Sequence, residues 1–400
     1  MAQNIEEFRN SIPVGDLGII PLESCSKMGE MVNRYIADWR AERNQVLKPY
    51  GEDLKQSYIL KAQCSRFGSG EAKGTILDSI RGKDLYLLVD VTNFSITYSL
   101  SGYENHMSPD DHYGDLKRII TAAEGKARRV NVIMPFLYES RQHKRMARES
   151  LDCANALQEL RRLGVDNIIT FDAHDPRVQN AIPNSGFDNI MPHYQFIKTL
   201  FMNIPDLVVD SDHMMIVSPD EGAMWRAVYY SNVLGLDMGM FYKRRDYSRV
   251  VNGKNPIVAH EFLGASVEGK DVLIIDDMIA SGDSMLDVAY QLKQRKARRV
   301  IACATFGLFT AGMAKFDKYY EDGIISKVLT TNAIYQKPEL FERPYYISVD
   351  VSKYIALLID KINYDHSISG LLDPSVRIRN ALNYYNKYHT YGKESNDPED

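Results

Sequence analysis

The segment VLIIDDMIASGDSM, residues 272–285, restricts the fold of this 400-residue chain more than any other. Its leading apolar residues predict a buried strand that ends at the acid pair Asp276 and Asp277. Small polar residues then predict a turn, and a helix follows Ser284. The apolar positions of that helix recur at helical spacing, at Met285, Val288, Ala289 and Leu292. A strand, a polar turn and an amphipathic helix in this order are typical of α/β folds with parallel sheets.

A repeated arrangement predicts two such units. The pentapeptide KARRV closes a helical pattern at residues 126–130 and again at 296–300, and each copy leads into a short apolar run that ends at a phenylalanine. The shared order of helix, basic turn and strand favours two related α/β domains. We place them at residues 15–195 and 205–335, and we interpret residues 196–212 as a linker.

The remaining residues predict a smaller addition. Residues 336–385 contain a helix-like run, which we expect to pack back on the two domains. Residues 386–400 are acidic and polar, and we expect them to form a disordered tail.

The composition excludes several kinds of partner. A formal net charge of -5 gives no support for sequence-independent nucleic-acid binding, which requires clustered cations. No apolar run reaches the roughly 20 residues that span a bilayer, and the first residues lack the basic and apolar regions of a signal peptide. The cysteines are far apart, as expected of reduced thiols. We therefore expect a cytoplasmic protein that binds neither nucleic acid nor membrane.

The turn after the acid pair is suited to an anion. We call it the phosphate loop, and it comprises Ser281, Gly282, Asp283 and Ser284. Its backbone N–H groups lie at the positive end of the predicted helix, and its glycine lets the backbone approach a ligand closely. The carboxylates of Asp276 and Asp277 would repel a phosphate, but they suit two sugar hydroxyls or a divalent cation beside it. The alternative is a solvated strand end with an aspartate-rich turn.

Residues 272–285 resemble the phosphoribosyl-binding signature that phosphoribosyltransferases and ribose-phosphate diphosphokinases share. The resemblance implies that the phosphate loop holds ribose 5-phosphate and that Asp276 and Asp277 contact the ribose hydroxyls. It also implies two phosphoribosyltransferase-like domains, each with a mainly parallel sheet flanked by helices. By itself the signature does not distinguish the two enzyme classes.

Four further segments resemble the diphosphokinases in particular, and they occur in the order of that family. They are RFGSGEAKGTILDSIRGKD at 66–84, MPFLYESRQHKR at 134–145, NIITFDAHDPRVQ at 167–179 and IVSPDEGAMWRA at 216–227. The resemblance implies that ATP contacts residues of the first three segments, namely Phe67, Glu71, Arg141, Gln142 and His174. It also implies that His174 and Asp220 arrange a Mg2+ ion.

The segment YKRRD at 242–246 resembles the catalytic loop of the same family. The resemblance makes Lys243 and Arg245 catalytic cations, with His174 as a third catalytic residue. It implies an enzyme that transfers the β,γ-diphosphoryl group of ATP to the anomeric hydroxyl of ribose 5-phosphate, giving phosphoribosyl pyrophosphate and AMP. It further implies a homo-oligomer, in which the loop with Phe67 and Glu71 crosses a subunit interface.

Three departures from the family pattern keep a second hypothesis open. Ser69, His143 and Ala280 stand where relatives usually have aspartate. The alternative is therefore a weakly active or inactive relative that binds nucleotide and regulates a partner synthetase. A phosphoribosyltransferase acting on a nucleobase would leave the ATP segments unexplained. Taken singly, a histidine such as His174 is more often structural and a KRR run more often a solvated turn, but the joint order of the segments favours the diphosphokinase.

Overall fold

The computed structural model describes residues 5–47, 56–245 and 257–389. The chain divides into two compact units. Unit 1 comprises Met1–Met191, Asn332–Tyr335 and Asp350–Leu372, and unit 2 comprises Pro192–Thr331, Gln336–Val349 and Asp373–Asp400.

Strands and helices alternate along unit 1. Its elements up to Met191 are β1 (Asp16–Pro21), α1 (Ser26–Leu47), β2 (Ala62–Arg66), β3 (Ala72–Ile76), β4 (Lys83–Leu88), β5 (Thr97–Leu100), β6 (Tyr103–His106), α2 (Pro109–Ala123), β7 (Arg129–Ile133), α3 (Asp152–Arg162), β8 (Asn167–Phe171) and β9 (Gly186–Ile190). Five of the strands form a parallel sheet in the order β1-β4-β7-β8-β9. The other four form two antiparallel hairpins, β2–β3 and β5–β6.

The core of unit 1 explains its pattern of apolar residues. Strand β4 is buried on both faces, and it is correspondingly apolar from Leu85 to Leu88. Leu116 and Ile120 of α2 lie one helical turn apart and join Leu85 and Leu87 in one apolar cluster. Burial of such side chains contributes roughly 1.5–3 kcal/mol each, so this packing fixes the sheet beneath α2.

Unit 2 repeats the alternation. Its elements up to Val349 are α4 (His193–Asn203), β10 (Met214–Ser218), α5 (Met224–Leu234), β11 (Asp237–Arg245), β12 (Ile257–Leu263), β13 (Asp271–Ile279), α6 (Asp283–Gln294), β14 (Arg299–Gly307), α7 (Ala314–Glu321), β15 (Lys327–Thr331) and β16 (Tyr346–Val349). The sheet has the order β12-β11-β10-β13-β14-β15-β16, and β12 is antiparallel to its neighbour while the other pairs are parallel.

The central strand of unit 2 serves two layers of helices. Val272 and Ile274 join the apolar cluster that includes residues of α6, whereas Leu273 and Ile275 join the cluster that includes residues of α5. Successive side chains of a strand point to opposite faces of the sheet, so a continuous apolar run is what a strand covered on both faces requires.

In the described residues after β16, the structure has three helices, namely α8 (Ser352–Asn363), α9 (Ser369–Leu372) and α10 (Ser375–His389). Helix α8 packs on α1 in unit 1, where the buried Asp360 accepts hydrogen bonds from Arg40 at 2.8 Å and Arg43 at 3.0 Å. Helix α10 packs on α4 and α5 in unit 2, and the Tyr385 hydroxyl accepts a hydrogen bond from the Leu207 amide at 3.1 Å. Among the helices of the described residues, none has the length and apolar character that a bilayer crossing requires.

The predicted α/β class, with two mainly parallel sheets flanked by helices, is confirmed. The duplication extends to a shared ion pair. Asp84 of β4 lies opposite Arg129 of β7 in register and pairs with it at 2.8 Å. Asp271 of β13 lies opposite Arg299 of β14 and pairs with it at 2.6 Å. Both arginines belong to the two KARRV copies, and both aspartates end a GKD tripeptide.

The interpretation of residues 196–212 as a linker is wrong for its first half. Helix α4 continues to Asn203, because Phe196, Ile197 and Leu200 insert at helical spacing into an apolar cluster of unit 2. The polar aspartates that suggested a linker lie after this helix.

The carboxyl-terminal part also differs from the prediction. Residues 386–389, predicted as the beginning of the tail, form the end of α10, and residues 390–400 lie outside the described residues. Residues 336–385 do not form one added segment, because β16 completes the sheet of unit 2 whereas α8 belongs to unit 1.

Candidate active site

The strand that leads to the phosphate loop is longer than its sequence pattern predicts. Strand β13 continues through the acid pair to Ile279, because its neighbour β14 offers pairing partners as far as Gly307. Asp276 and Asp277 therefore lie within the strand rather than at its end. Their side chains point to opposite faces of the sheet, so the two carboxylates have different surroundings.

Asp277 is enclosed, whereas Asp276 is partly exposed. Asp277 is 3% exposed, and its Oδ2 lies 3.8 Å from Nη2 of Arg226, which is also buried. Burial raises the pKa of Asp276 well above its ordinary value, and the charges of Asp277 and Asp220 raise it further. The charged form of Asp276 is therefore disfavoured in the absence of a ligand, and a cation or a hydrogen-bond donor from a ligand would stabilise it.

Asp220 lies in the turn after β10, the strand that pairs with β13. Its Oδ1 accepts the amide N–H groups of Gly222 at 2.9 Å and Ala223 at 3.2 Å, and the Ser218 hydroxyl donates to its carbonyl oxygen at 2.6 Å. Because β10 and β13 are parallel, this turn and the phosphate loop follow neighbouring carboxyl ends of the sheet. That edge is where open α/β sheets bind ligands.

The phosphate loop opens directly onto a helix. Gly282 is the N-cap of α6 and has φ 92°, a left-handed conformation that favours glycine. A Cβ atom there would lie 2.3 Å from Cε2 of Phe316, so the position also excludes side chains for lack of space. Within the described residues, the amide N–H groups of Gly282, Ser284 and Met285 have no protein acceptor. These groups sit at the positive end of the helix and suit an anion.

The side chains of the loop are themselves linked. The Ser281 hydroxyl donates to Asp283 at 3.0 Å, and Asp283 also forms an ion pair with Lys315 of α7. The hydrogen bond from Lys315 lowers the pKa of Asp283. Lys315 is a cation beside the phosphate loop that the sequence analysis missed. It lies far along the chain with no recognisable motif, and the packing of α7 brings it there.

Lys243 and Arg245 belong to the last part of β11. Their backbones pair antiparallel with His260 and Ile257 of β12. The side chains of both residues lie outside the described part of the structure, as does Asp246, so their roles stay predictions.

In unit 1, Phe67 and Glu71 lie in the turn that joins β2 to β3. We call residues 67–71 the hairpin turn. Phe67 is 55% exposed, and its amide donates to the Glu71 carbonyl at 2.8 Å. The Ser69 hydroxyl donates to the Glu71 carboxylate at 2.9 Å. An exposed aromatic ring at the tip of a hairpin suits a stacking contact with a planar group.

Arg141 and Gln142 lie in the loop after β7. Arg141 is exposed, whereas the Gln142 amide donates to the Ser150 carbonyl at 2.8 Å. That bond ties the two ends of the loop, so Gln142 serves the loop conformation here while Arg141 faces solvent.

His174 follows β8 and lies beside a second histidine. The ring centroids of His143 and His174 are 5.4 Å apart, and His143 Nε2 lies 3.4 Å from the Asp175 carboxylate. Burial lowers the pKa of His143, Asp175 opposes this shift, and His174 adds to it. Hydrogen bonds from Arg177 lower the pKa of Asp175 to about 2. Sequence reasoning noted His143 only as a departure from a family pattern, and local sequence gives no signal that it contacts His174.

Two family models match the chain. The description of the first is N-terminal domain of ribose phosphate pyrophosphokinase, and it matches residues 17–164. The second is the phosphoribosyl transferase domain, and it matches residues 187–340. The chain belongs to the ribose-phosphate pyrophosphokinase family.

Individual relatives agree with this assignment. The chain is 27% identical over 322 residues to the ribose-phosphate pyrophosphokinase of Vibrio parahaemolyticus, which covers 78% of this chain and 91% of that protein. It is 27% identical over 318 residues to the enzyme of the same name from Wolinella succinogenes, and that match covers 78% of this chain and 91% of that protein. The crystal structure of phosphoribosylpyrophosphate synthetase from Mycobacterium smegmatis shares the fold, with a TM-score of 0.67, 20% identity, and coverage of 88% of this chain and 99% of that chain.

The three residues that depart from the pyrophosphokinase pattern contact neighbouring groups of the protein. Ser69 binds Glu71 within the hairpin turn, His143 approaches Asp175, and the Ala280 carbonyl accepts the Thr310 amide at 2.9 Å. Ser69 and Ala280 are thus hydrogen-bonded locally, whereas the buried Nδ1 of His143 has no hydrogen-bond partner among the described residues.

Proposed function

We propose that the protein transfers the β,γ-diphosphoryl group of ATP to the anomeric hydroxyl of ribose 5-phosphate, giving phosphoribosyl pyrophosphate and AMP. The observation that carries the proposal is the arrangement at one edge of the sheet in unit 2. Open amides at the start of α6, the partly exposed Asp276 and the Asp220 turn all lie there.

The phosphate of ribose 5-phosphate binds to the phosphate loop in this proposal. The amides of Gly282 and Ser284 donate to its oxygens, and the Ser281 and Ser284 hydroxyls add further donors. Lys315 contributes a positive charge from α7, because its present partner Asp283 belongs to the same loop.

The ribose hydroxyls donate to the acid pair. Asp276 is the exposed member and contacts a hydroxyl directly, since burial already disfavours its charge and a donor would relieve that. Asp277 lies on the other face of the strand beside the buried Arg226, so in this proposal it contributes by fixing the part of the strand that presents Asp276 to the sugar.

A divalent cation fits the carboxylate of Asp220. Asp220 uses Oδ1 for its own turn, and its second oxygen is the kind of ligand that Mg2+ prefers. Mg2+ usually keeps several waters and takes phosphate oxygens of its substrate as further ligands. We propose Asp220 and His174 as the residues that hold Mg2+, which supplies neutralisation of triphosphate charge when bound.

The remaining assignments concern the nucleotide. Phe67, Glu71, Arg141, Gln142 and His174 contact ATP, with Phe67 stacking on the base and Arg141 pairing with phosphate. Lys243 and Arg245 neutralise charge that develops on the transferred group, and alignment supplies most of the remaining acceleration. We infer that the chain forms a homo-oligomer, in which the hairpin turn reaches a neighbouring subunit, and that it acts in the cytoplasm.

The test is to incubate the purified protein with ATP, ribose 5-phosphate and Mg2+, and to measure AMP and phosphoribosyl pyrophosphate. Equal amounts of both products, formed without a nucleobase, support the proposal. Nucleotide binding without turnover would contradict it and favour a regulatory relative. Product that forms only when a nucleobase is added would favour a phosphoribosyltransferase.

A further inference from the structure

The hairpin β5–β6 lies in the connection between β4 and α2 and contacts the hairpin turn. The Ser101 amide donates to the Gly68 carbonyl at 3.2 Å. Leu100 packs on the backbone of Gly70, since a Cβ atom at Gly70 would lie 2.8 Å from its Cδ1. Both contacts reach the turn that carries Phe67 and Glu71.

A third contact joins the two hairpins below the turn. The guanidinium carbon of Arg66 lies 5.1 Å from the centre of the Tyr98 ring, a distance typical of cation–π attraction. Arg66 is also bound to Asp115 of α2 at 2.8 Å. Arg66 thus joins β2 both to α2, through its ion pair with Asp115, and to β5, through its contact with Tyr98.

An open pocket lies along one side of β2. Its volume is about 410 Å³, and Ala62, Cys64, His112 and Asp115 are among its lining residues. Because β2 has no packed neighbour among the described residues where it borders this pocket, contacts from β5–β6 contribute to holding the β2–β3 hairpin in place.

We propose that β5–β6 is a positioning element for the hairpin turn, and that Leu100 is the residue that fixes Phe67 and Glu71 for nucleotide binding. This inference rests on the proposed function of those two residues as contacts to ATP. The left-handed φ of Gly70, 90°, gives the reason for the pairing: the turn needs glycine there, and glycine leaves a backbone surface that the Leu100 side chain covers.

The hairpin supplies its own control. Tyr103 lies directly opposite Leu100 in register and is 76% exposed. Leu100→Ala removes the contact with Gly70, whereas Tyr103→Ala removes an apolar side chain from the same two-stranded ladder without touching that contact. Leu100→Met restores an apolar side chain of similar volume and serves as the rescue variant.

Two measurements test the proposal. Amide hydrogen exchange of residues 66–72 is expected to accelerate about tenfold in Leu100→Ala and to stay at the wild-type rate in Tyr103→Ala and Leu100→Met. The KM for ATP is expected to rise about tenfold in Leu100→Ala alone, with kcat and the KM for ribose 5-phosphate within twofold. Unchanged exchange in Leu100→Ala, or faster exchange with an unchanged KM for ATP, would overturn the proposal.

The outcome stays separable from the proposed function. If the wild-type protein lacks turnover, the dissociation constant for ATP by titration calorimetry replaces KM. A tenfold weaker binding in Leu100→Ala then supports the positioning role while the diphosphoryl transfer fails, and equal binding in Leu100→Ala and Tyr103→Ala contradicts the positioning role.

Discussion

The two units share a scaffold and differ where the strand meets the next helix. GKDLYLLVD at residues 82–90 and GKDVLIIDD at 269–277 occupy the corresponding strands β4 and β13. In unit 2, three residues, Ala280, Ser281 and Gly282, separate the end of β13 from α6, and the last two of them begin the phosphate loop. In unit 1, the connection to α2 carries the β5–β6 hairpin instead.

Two corresponding aspartates, one after β4 and one within β13, have different environments. Asp90 stands at the position of Asp277 in the duplicated sequence, and Val89 stands at that of Asp276. Asp90 is 2% exposed and accepts the amides of Thr92 at 2.8 Å and Tyr335 at 2.6 Å. In unit 1, backbone N–H groups of the protein therefore occupy the aspartate oxygens that would otherwise be open to a ligand. Under the proposed function, the duplicated scaffold gains its sugar-phosphate site from the connection after the strand.

The largest effect is expected for Asp276→Asn. We expect turnover to fall roughly 10²- to 10³-fold, because a carboxyl oxygen that accepts a hydrogen bond from the ligand is replaced by an amide NH2 group. We also expect the thermal midpoint to rise by about 2–4 °C for each kcal/mol gained, since burial disfavours the charge of Asp276. Kinetic assay and calorimetry measure the two effects. Asp90→Asn is the matched variant, and its KM for ribose 5-phosphate should stay unchanged. A loss of activity with a lower thermal midpoint in Asp276→Asn would break the comparison.

Gly282→Ala is expected to weaken ribose 5-phosphate binding about 10²-fold. The new Cβ would overlap the Phe316 ring and displace the loop, and a displacement of about 1 Å can have an effect of this size. Gly269→Ala is the control, because Gly269 also has a positive φ, 75°, but has open space around it. Calorimetric titration with ribose 5-phosphate should show near-wild-type affinity for the control. Equal weakening in both variants would mean that backbone strain, not the loop, controls binding.

Sequence reasoning was most successful where the signal is local. The strand, turn and helix at 272–285 and the duplicated KARRV segments depend on periodicity within a few turns of chain, and the structure has both. The extension of β13 to Ile279 could not be predicted, because it depends on how far β14 continues alongside.

Contacts between segments that are far apart in the sequence could not be predicted from local sequence patterns. His143 lies against His174 through a loop whose course depends on bonds such as Gln142 to Ser150. Lys315 reaches Asp283 through the packing of α7. No regular spacing of residues in the sequence indicates either of these two contacts. The phosphate loop, by contrast, is indicated by the order of strand, turn and helix around it.

The two units also differ in how many arginines pair with the buried aspartate of the corresponding strand. Arg129→Met should lower the free energy of unfolding by about 4 kcal/mol, because it leaves the fully buried Asp84 without its arginine. Arg299→Met should lower it less, since Arg298 also pairs with Asp271. Urea denaturation of the two variants measures the difference. Equal losses would show that the second arginine contributes nothing.

The smallest expected effect is the pH dependence that Asp90 introduces. Burial raises the pKa of Asp90 from 3.8 to about 6. The folded protein therefore holds a proton there that the unfolded chain has already lost, so the free energy of unfolding falls by up to about 3 kcal/mol between about pH 4 and pH 6. The fall should be absent in Asp90→Asn when both proteins are denatured with urea across this range. A slope that persists in the variant would assign the dependence to other groups.

The most direct test of the central claim is amide hydrogen exchange with and without ribose 5-phosphate. Binding is expected to protect the amides of residues 281–286 in unit 2 and to leave residues 90–93, the corresponding strand end of unit 1, at their ligand-free rates. Protection at 90–93, or none at 281–286 under saturating ribose 5-phosphate, would contradict the assignment of the sugar-phosphate site to the phosphate loop.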